Sequence, residues 1–221
     1  MILRPSLAIL LFAASVVNAQ MTALTHVRVI DGTGRTPLED ATVVIEGNRI
    51  LAVEPANSTL PAAAKVLDLH GDTVMPGLIN AHGHLALVAD GKNSAAAYTS
   101  ENVLSELRQY ESYGVTTMLS LGLNRDLLYS IRTQQRQGKL DGATVLTADR
   151  GIGAVDGAPP LPAAPDQLYR PANAEEARAA VDAMAKRHAD IIKIWVDSLG
   201  GTKPSMSPEI YRAVIAEAHK H

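Results

Sequence analysis

The chain has no cysteine among its 221 residues. That excludes disulfides, thiolate metal sites and any lipid carried on an N-terminal cysteine. Aromatic residues are scarce, at 4%, with one Trp and one Phe. A core must therefore be packed mainly from aliphatic side chains and alanine, and the 47% apolar content is enough to build one. Charge of one sign is also lacking. A formal net charge of −3 gives no electrostatic reason to expect nucleic acid or an anionic membrane surface as a partner. No internal repeat or low-complexity tract stands out. The apolar run from Leu7 to Val17 is short for a bilayer span, which takes about 20 residues.

That run has the character of an export signal. Arg4 supplies a positive start, Leu7 to Val17 the apolar stretch, and Val17-Asn18-Ala19 a small-residue cleavage site. Residues 1–19 are expected to be a signal peptide and the protein to be secreted or periplasmic, with no membrane contact after cleavage. An uncleaved N-terminal anchor is the plainer alternative.

Residues 20–75 consist of short β-rich runs separated by turn chemistry. Leu24 to Ile30, Ala41 to Glu46 and Arg49 to Val53 are expected strands, with Gly47-Asn48 closing a hairpin. Val66 to Leu69 and Thr73 to Met75 flank a turn at His70-Gly71-Asp72. From residue 76 the pattern changes to strands alternating with helices. The strands are expected at Gly77–Asn80, Val115–Leu121, Ala143–Ala148 and Asp190–Val196. The helices are expected at Ser100–Tyr113, Asn124–Gln137 and Asn173–His188, with a last one from Ser207-Pro208, a cap residue followed by Pro at the first helical position. Ile210, Val214 and Ile215 are expected on its buried face. Four strand-then-helix units in a row argue for a parallel sheet covered by helices. Gly151 to Pro165, rich in Gly, Ala and Pro, reads equally well as a lid over a site and as a plain connector.

Two places carry chemistry. In Pro76-Gly77-Leu78-Ile79-Asn80-Ala81-His82-Gly83-His84, His82 and His84 are two apart, so on extended chain both imidazoles face the same way. Imidazole is a good ligand for zinc and similar ions. Alone, His-x-His is weak evidence. Here it follows the strand that opens the β/α series, at the end where parallel barrels keep their active sites. The second place is Lys193, a charge inside the apolar run Ile191 to Val196. A buried lysine is costly unless paired or discharged. The plainer reading is a side chain that snorkels to solvent.

Together these segments resemble the amidohydrolase superfamily, in its imidazolonepropionase- and prolidase-like branch. Asp31-Gly32-Thr33-Gly34 and the hairpin from Val43 to Ile50 are similar to the family's N-terminal β-sandwich. Met75 to His84 is similar to its first barrel strand, Gly114-Val115-Thr116-Thr117 to its second, and Ile192-Lys193-Ile194-Trp195 to its fourth. The resemblance implies an α/β fold: part of a β-sandwich over residues 20–75, then the first half of a (β/α)8 TIM barrel over residues 76–221. It also implies two divalent ions, zinc above all, held by His82 and His84 and bridged by a carbamylated Lys193. The implied reaction is hydrolysis of carbon–nitrogen bonds in small amides, cyclic amides or dipeptides, and homo-oligomers fit the same reading.

Departures from the family pattern are Asn80, where many relatives carry Asp, and Ser120, where many carry an acid. The family also places further ligand histidines on its fifth and sixth strands and a catalytic Asp on its eighth. The 221 residues reach only the fourth helix, and a full barrel takes about 250 residues. The chain by itself is therefore expected to hold an incomplete site and to be inactive. His219 and His221 form a second His-x-His pair, but on a helix residues two apart diverge, and neither is expected to be a ligand. His26, His70 and His188 read as surface or helix-end residues. Two other readings stay open: a one-metal deacetylase of the same superfamily, against which Lys193 argues, and a non-catalytic module derived from it.

Overall fold

The computed structural model describes residues 20–221. The signal peptide expected over residues 1–19 lies outside them. The chain divides into two compact units, with the boundary between Pro76 and Gly77.

The first unit is a five-stranded sheet. Its strands are β1 (Met21–Val29), β2 (Leu38–Glu46), β3 (Arg49–Pro55), β4 (Lys65–Asp68) and β5 (Thr73–Val74). The path runs β3-β2-β1-β4, and β5 also pairs with β1. β1–β2 and β2–β3 are antiparallel, the latter pair joined by the Gly47-Asn48 turn, while β4 and β5 run parallel to β1. Val27, Val29, Ala41 and Val43 form the buried face. At the end of β1 the Asp31 carboxylate accepts from the Thr33 amide at 2.9 Å and from its hydroxyl at 2.6 Å, closing the turn seen in the composition. These hydrogen bonds, with that from Arg35, hold the Asp31 carboxyl at about 2.

The second unit is a β/α series. β6 (Leu78–Gly83) leads through a small hairpin, β7 (Val88–Ala89) with β8 (Lys92–Asn93), and a 3₁₀ turn at Ala95–Ala97 to α1 (Ser100–Ser112). Then follow β9 (Val115–Ser120), α2 (Leu127–Arg136), β10 (Thr144–Thr147), β11 (Ile152–Gly153), α3 (Ala174–Lys186), β12 (Ile194–Trp195) and α4 (Pro208–Ala218). β6, β9 and β10 pair in parallel and in sequence order. β12 pairs in parallel with β11 as a separate two-stranded sheet, and ahead of it the Asp190 amide donates to the Thr147 carbonyl of β10 at 2.9 Å. β6 and β9 approach closely at Gly77, where a Cβ would land on the Thr116 side chain.

The core follows from the composition. One cluster gathers Leu85, Val103, Leu107, Met118, Leu128 and Val145 beneath α1 and α2, with Tyr98 its one aromatic member. A second joins α3 and α4 through Ala177, Val181, Met184, Met206 and Val214. The helices begin where cap chemistry directs them. Thr99 caps α1, and the Ser207 hydroxyl accepts from the Ile210 amide at 3.3 Å to cap α4. At α3 the Asn173 side chain accepts from the Glu176 amide at 2.9 Å, while the Glu176 carboxylate accepts from the Ala172 amide at 2.8 Å, a capping box shifted by one residue.

Three expectations need correction. α2 begins at Leu127, not Asn124, because the Asn124 side chain is taken up in a buried polar cluster described below. The fourth strand shrinks from Asp190–Val196 to Ile194–Trp195, its only parallel partner in the ladder being the two-residue β11. Ile215, expected inside, is 44% exposed, whereas Val214 is 1% exposed. The buried stripe of α4 runs through Ile210, Ala213, Val214 and Glu217, and Ile215 lies beside it.

Met184→Ala is expected to cost about 2–5 kcal/mol, because the fully buried side chain leaves a cavity between α3 and α4. Ile215→Ser is expected to stay within about 0.5 kcal/mol of the parent. Urea denaturation of both variants checks the register of the last helix.

Candidate metal centre

Toward its end β6 shifts register against β9 between Asn80 and Gly83. The Asn80 carbonyl oxygen accepts from the His82 amide at 3.0 Å, and its amide nitrogen donates to the Tyr110 hydroxyl at 3.2 Å. A carboxylate would accept the first bond equally well, so the change from the family's Asp leaves this turn intact. Gly83 pairs with Ser120 of β9, and a Cβ there would meet the Met118 methyl at 2.6 Å, so a side chain would require Met118 to shift.

His82 is exposed and His84 half-buried. Their rings meet edge to face with centroids 6.0 Å apart. His84 Nδ1 lies 3.4 Å from the Gly122 carbonyl, which fixes the ring and leaves Nε2 free. Burial depresses its pKa; the Gly122 carbonyl opposes this, and the nearby charges of His82 and Lys193 add to the depression. The neutral imidazole, the form that binds metal, is thereby favoured.

Lys193 sits one residue before β12, and its carbonyl accepts from the Ile152 amide at 2.9 Å. It is half-buried rather than enclosed, which corrects the expectation of a lysine inside a continuous strand. Its Nζ lies 5.2 Å from the centroid of the Trp195 ring. The same indole stacks on His84, with centroids 6.5 Å apart and planes inclined by 19°. His82, His84 and Lys193 are thus brought into one neighbourhood. Two imidazoles, one of them oriented by a carbonyl and kept neutral, beside a primary amine, fit a divalent ion by the chemistry of the donor set.

Sequence reasoning missed the polar cluster behind this centre. Asn124 is 1% exposed. Its carbonyl oxygen accepts from the hydroxyls of Ser120 (2.6 Å) and Tyr98 (3.1 Å). Its amide nitrogen donates to the Ser120 carbonyl (3.1 Å), the Thr147 hydroxyl (3.1 Å) and the Asp149 carbonyl (2.9 Å). Ser120, where many relatives carry an acid, is therefore a hydrogen-bond donor within the cluster. Beside it the buried Asp149 carboxylate accepts from Tyr129 (2.7 Å) and from Arg187 (2.6 Å). Burial and the adjacent Asp149 push the Tyr129 hydroxyl up. A sequence signal did exist: Asn124 follows Gly122, and Asp149 follows β10, both just past strand ends.

The segment from Gly151 to Pro165 is tied down. The Arg170 guanidinium donates to the carbonyls of Ala154, Gly157 (3.1 Å) and Pro159 (3.0 Å). Gln167 donates to the Leu123 carbonyl at 3.1 Å, and Arg125 pairs with Asp166 at 2.7 Å. These bonds hold the segment in place and are compatible with a lid and a connector alike.

His221 Nε2 lies 2.8 Å from Asp182, and with Glu217 these two form a group whose ligand atoms fall within 4.8 Å of one another. Glu217 already has Lys220 at 2.8 Å and Arg178 at 3.9 Å, so its charge is matched, and the group is an ion-pair network joining α3 and α4.

No family model matches the chain. An imidazolonepropionase of Streptomyces griseus is 36% identical over 77 residues, covering 31% of this chain and 20% of the relative. One from Micrococcus luteus is 31% identical over 134 residues, covering 60% and 32%. Among solved structures, a candidate prolidase from Bifidobacterium longum matches with a TM-score of 0.75 at 31% identity, over 92% of this chain and 48% of that one. The chain thus spans about half the length of the solved relative and no more than a third of the curated ones. The β/α series is the first half of a (β/α)8 barrel of the kind these hydrolases share. These likenesses support the amidohydrolase superfamily that the motifs resemble.

Two predictions follow from the geometry behind the centre. Asn124→Ala strands the Ser120 and Tyr98 hydroxyls and is expected to cost about 3 kcal/mol in urea denaturation. The second concerns Asp166, whose carboxyl is held below its usual range by the hydrogen bond from Arg125 and by that residue's charge. A lowered folded-state pKa means the pair stabilises above the unfolded value of about 3.9 and ceases to as pH falls through the folded value. The stability difference between parent and Asp166→Asn should hold steady at neutral pH and vanish in acid.

Proposed function

We propose that the protein is a metal-dependent hydrolase of carbon–nitrogen bonds in small amides, cyclic amides or dipeptides. The observation that carries this is the gathering of His82 and His84, at the C-terminal end of β6, with Lys193, which immediately precedes β12; barrel enzymes keep their chemistry at the C-terminal ends of their strands. The names of the relatives, imidazolonepropionase and prolidase, support it.

His82 and His84 would hold a divalent ion, with zinc the natural choice for imidazole ligands. The chemistry such an ion supplies is a water acidified toward neutrality and a polarised scissile carbonyl. The chain's own residues prepare for it. The Gly122 carbonyl, 3.4 Å from His84 Nδ1, would favour the tautomer that leaves Nε2 to a metal. Asn80 fixes the backbone at His82. Lys193 in this reading reacts with carbon dioxide: its neutral amine forms a nitrogen–carbon bond, a proton leaves to solvent, and the anionic carbamate serves a second ion. Export through residues 1–19 belongs to the same proposal, as does assembly into homo-oligomers.

Metal analysis beside amide and dipeptide hydrolysis tests the reading. In an active protein extended to the length of its relatives, His82→Ala is expected to lose bound metal and turnover together, and Lys193→Ala to lose one of two metal equivalents. An active His82→Ala protein would sink the assignment. A parent that binds close to one equivalent points instead to a one-metal deacetylase.

A further inference from the structure

Trp195 is the chain's only tryptophan, and its indole lies against two of the three groups of the centre, His84 and Lys193. One face stacks on His84 at 6.5 Å and 19°. Lys193 Nζ lies 5.2 Å from the ring centroid. Lys193 and Trp195 are two apart on extended chain, which directs both side chains to the same side. The indole edge is seated on bare backbone. A Cβ on Gly122 would meet Trp195 Cη2 at 2.5 Å, and a Cβ on Gly151 would meet Cζ3 at 2.5 Å. Both glycines have positive φ, +94° and +75°, so their place is doubly reserved. The Gly122 that carries the indole also presents its carbonyl to His84 Nδ1 at 3.4 Å.

An aromatic ring wedged between two glycine backbones has little freedom to move, and whatever stacks on it inherits that rigidity. We propose that Trp195 is a positioning residue of the metal centre: it holds the His84 ring in its binding orientation and fixes the reach of the Lys193 amine. The inference rests on His82 and His84 being metal ligands, as proposed above. Trp195 donates no atom to the ion. It acts by limiting the rotation of two groups that do, in the way that partners of metal ligands commonly set affinity.

Its position makes it a reporter as well. A ring stacked on a ligand imidazole changes its emission when that imidazole takes up a metal, and with a single tryptophan the signal is unambiguous. The experiment is a titration of the full chain with zinc, following tryptophan emission, and a zinc affinity measured by competition with a chelator for Trp195→Leu, Trp195→Phe, His84→Ala and His82→Ala. Parent emission is expected to change saturably with zinc, and His84→Ala to abolish that change. Trp195→Leu should bind zinc about 10–100-fold more weakly than the parent, with its thermal melt close to the parent's. Trp195→Phe, which keeps an aromatic face, should recover most of the loss.

Zinc binding by Trp195→Leu as tight as the parent's, with His82→Ala still losing the metal, overturns the positioning role and leaves the metal reading standing. A parent that takes up no zinc overturns both. If Trp195→Leu does not fold, the parent's emission decides: a signal unmoved by zinc that is bound through His82 overturns the proposal.

Discussion

The second unit depends on the saturation of one buried amide. Asn124 has no solvent, and its hydrogen-bonding capacity is met by Ser120 and Tyr98 on one side and by Ser120, Thr147 and Asp149 on the other. The result is a fastening between the segments that follow β9 and β10. It is reinforced by the Leu123 amide, which donates to the Arg150 carbonyl at 2.7 Å. Those two segments carry Gly122 and Gly151. The indole of Trp195 lies on both glycines and His84 lies on the indole. The order of dependence is amide, strand ends, glycines, indole, imidazole. A group far from any reacting atom thereby sets the frame in which the histidines are presented. Its burial makes the frame stiff, because a partly satisfied amide in that place would cost about 1–3 kcal/mol for each stranded group.

What was legible in the sequence was what depends on periodicity and caps. The alternation of strands and helices, the hairpin at Gly47-Asn48, the caps at Asn173 and Ser207, and an aliphatic core all appear where local chemistry directs them. His82, His84 and Lys193 were legible as types at meaningful spacing, and the indole of Trp195, which lies against both His84 and the Lys193 amine, shows their neighbourhood. The misplaced start of α2 has a different cause. Asn124, Arg125 and Asp126 are compatible with a helix locally, and only the long-range partners Tyr98, Thr147 and Asp149 show why Asn124 is held out of it. The role of Trp195 was hidden for the same reason. Gly122 and Gly151 lie 29 residues apart in sequence and become one seat only when β9 and β10 are side by side.

The two departures from the family pattern have distinct physical readings. At Asn80 the position needs an acceptor for the His82 amide, which a carboxamide supplies, and the amide nitrogen gains Tyr110 as an added partner. At Ser120 the position is fully buried beside the Asn124 carbonyl oxygen, where a donor is wanted. An ionised carboxylate there would put a second acceptor against that oxygen in a dry site and would need a cation of its own. Thus Ser120 and Asn124 are matched to each other, and an acid at position 120 would require a different partner at 124. The swap changes how the end of β9 is held, while the Gly122 carbonyl that orients His84 keeps its place two residues on. The departure therefore bears on the frame of the centre and leaves its donor set untouched.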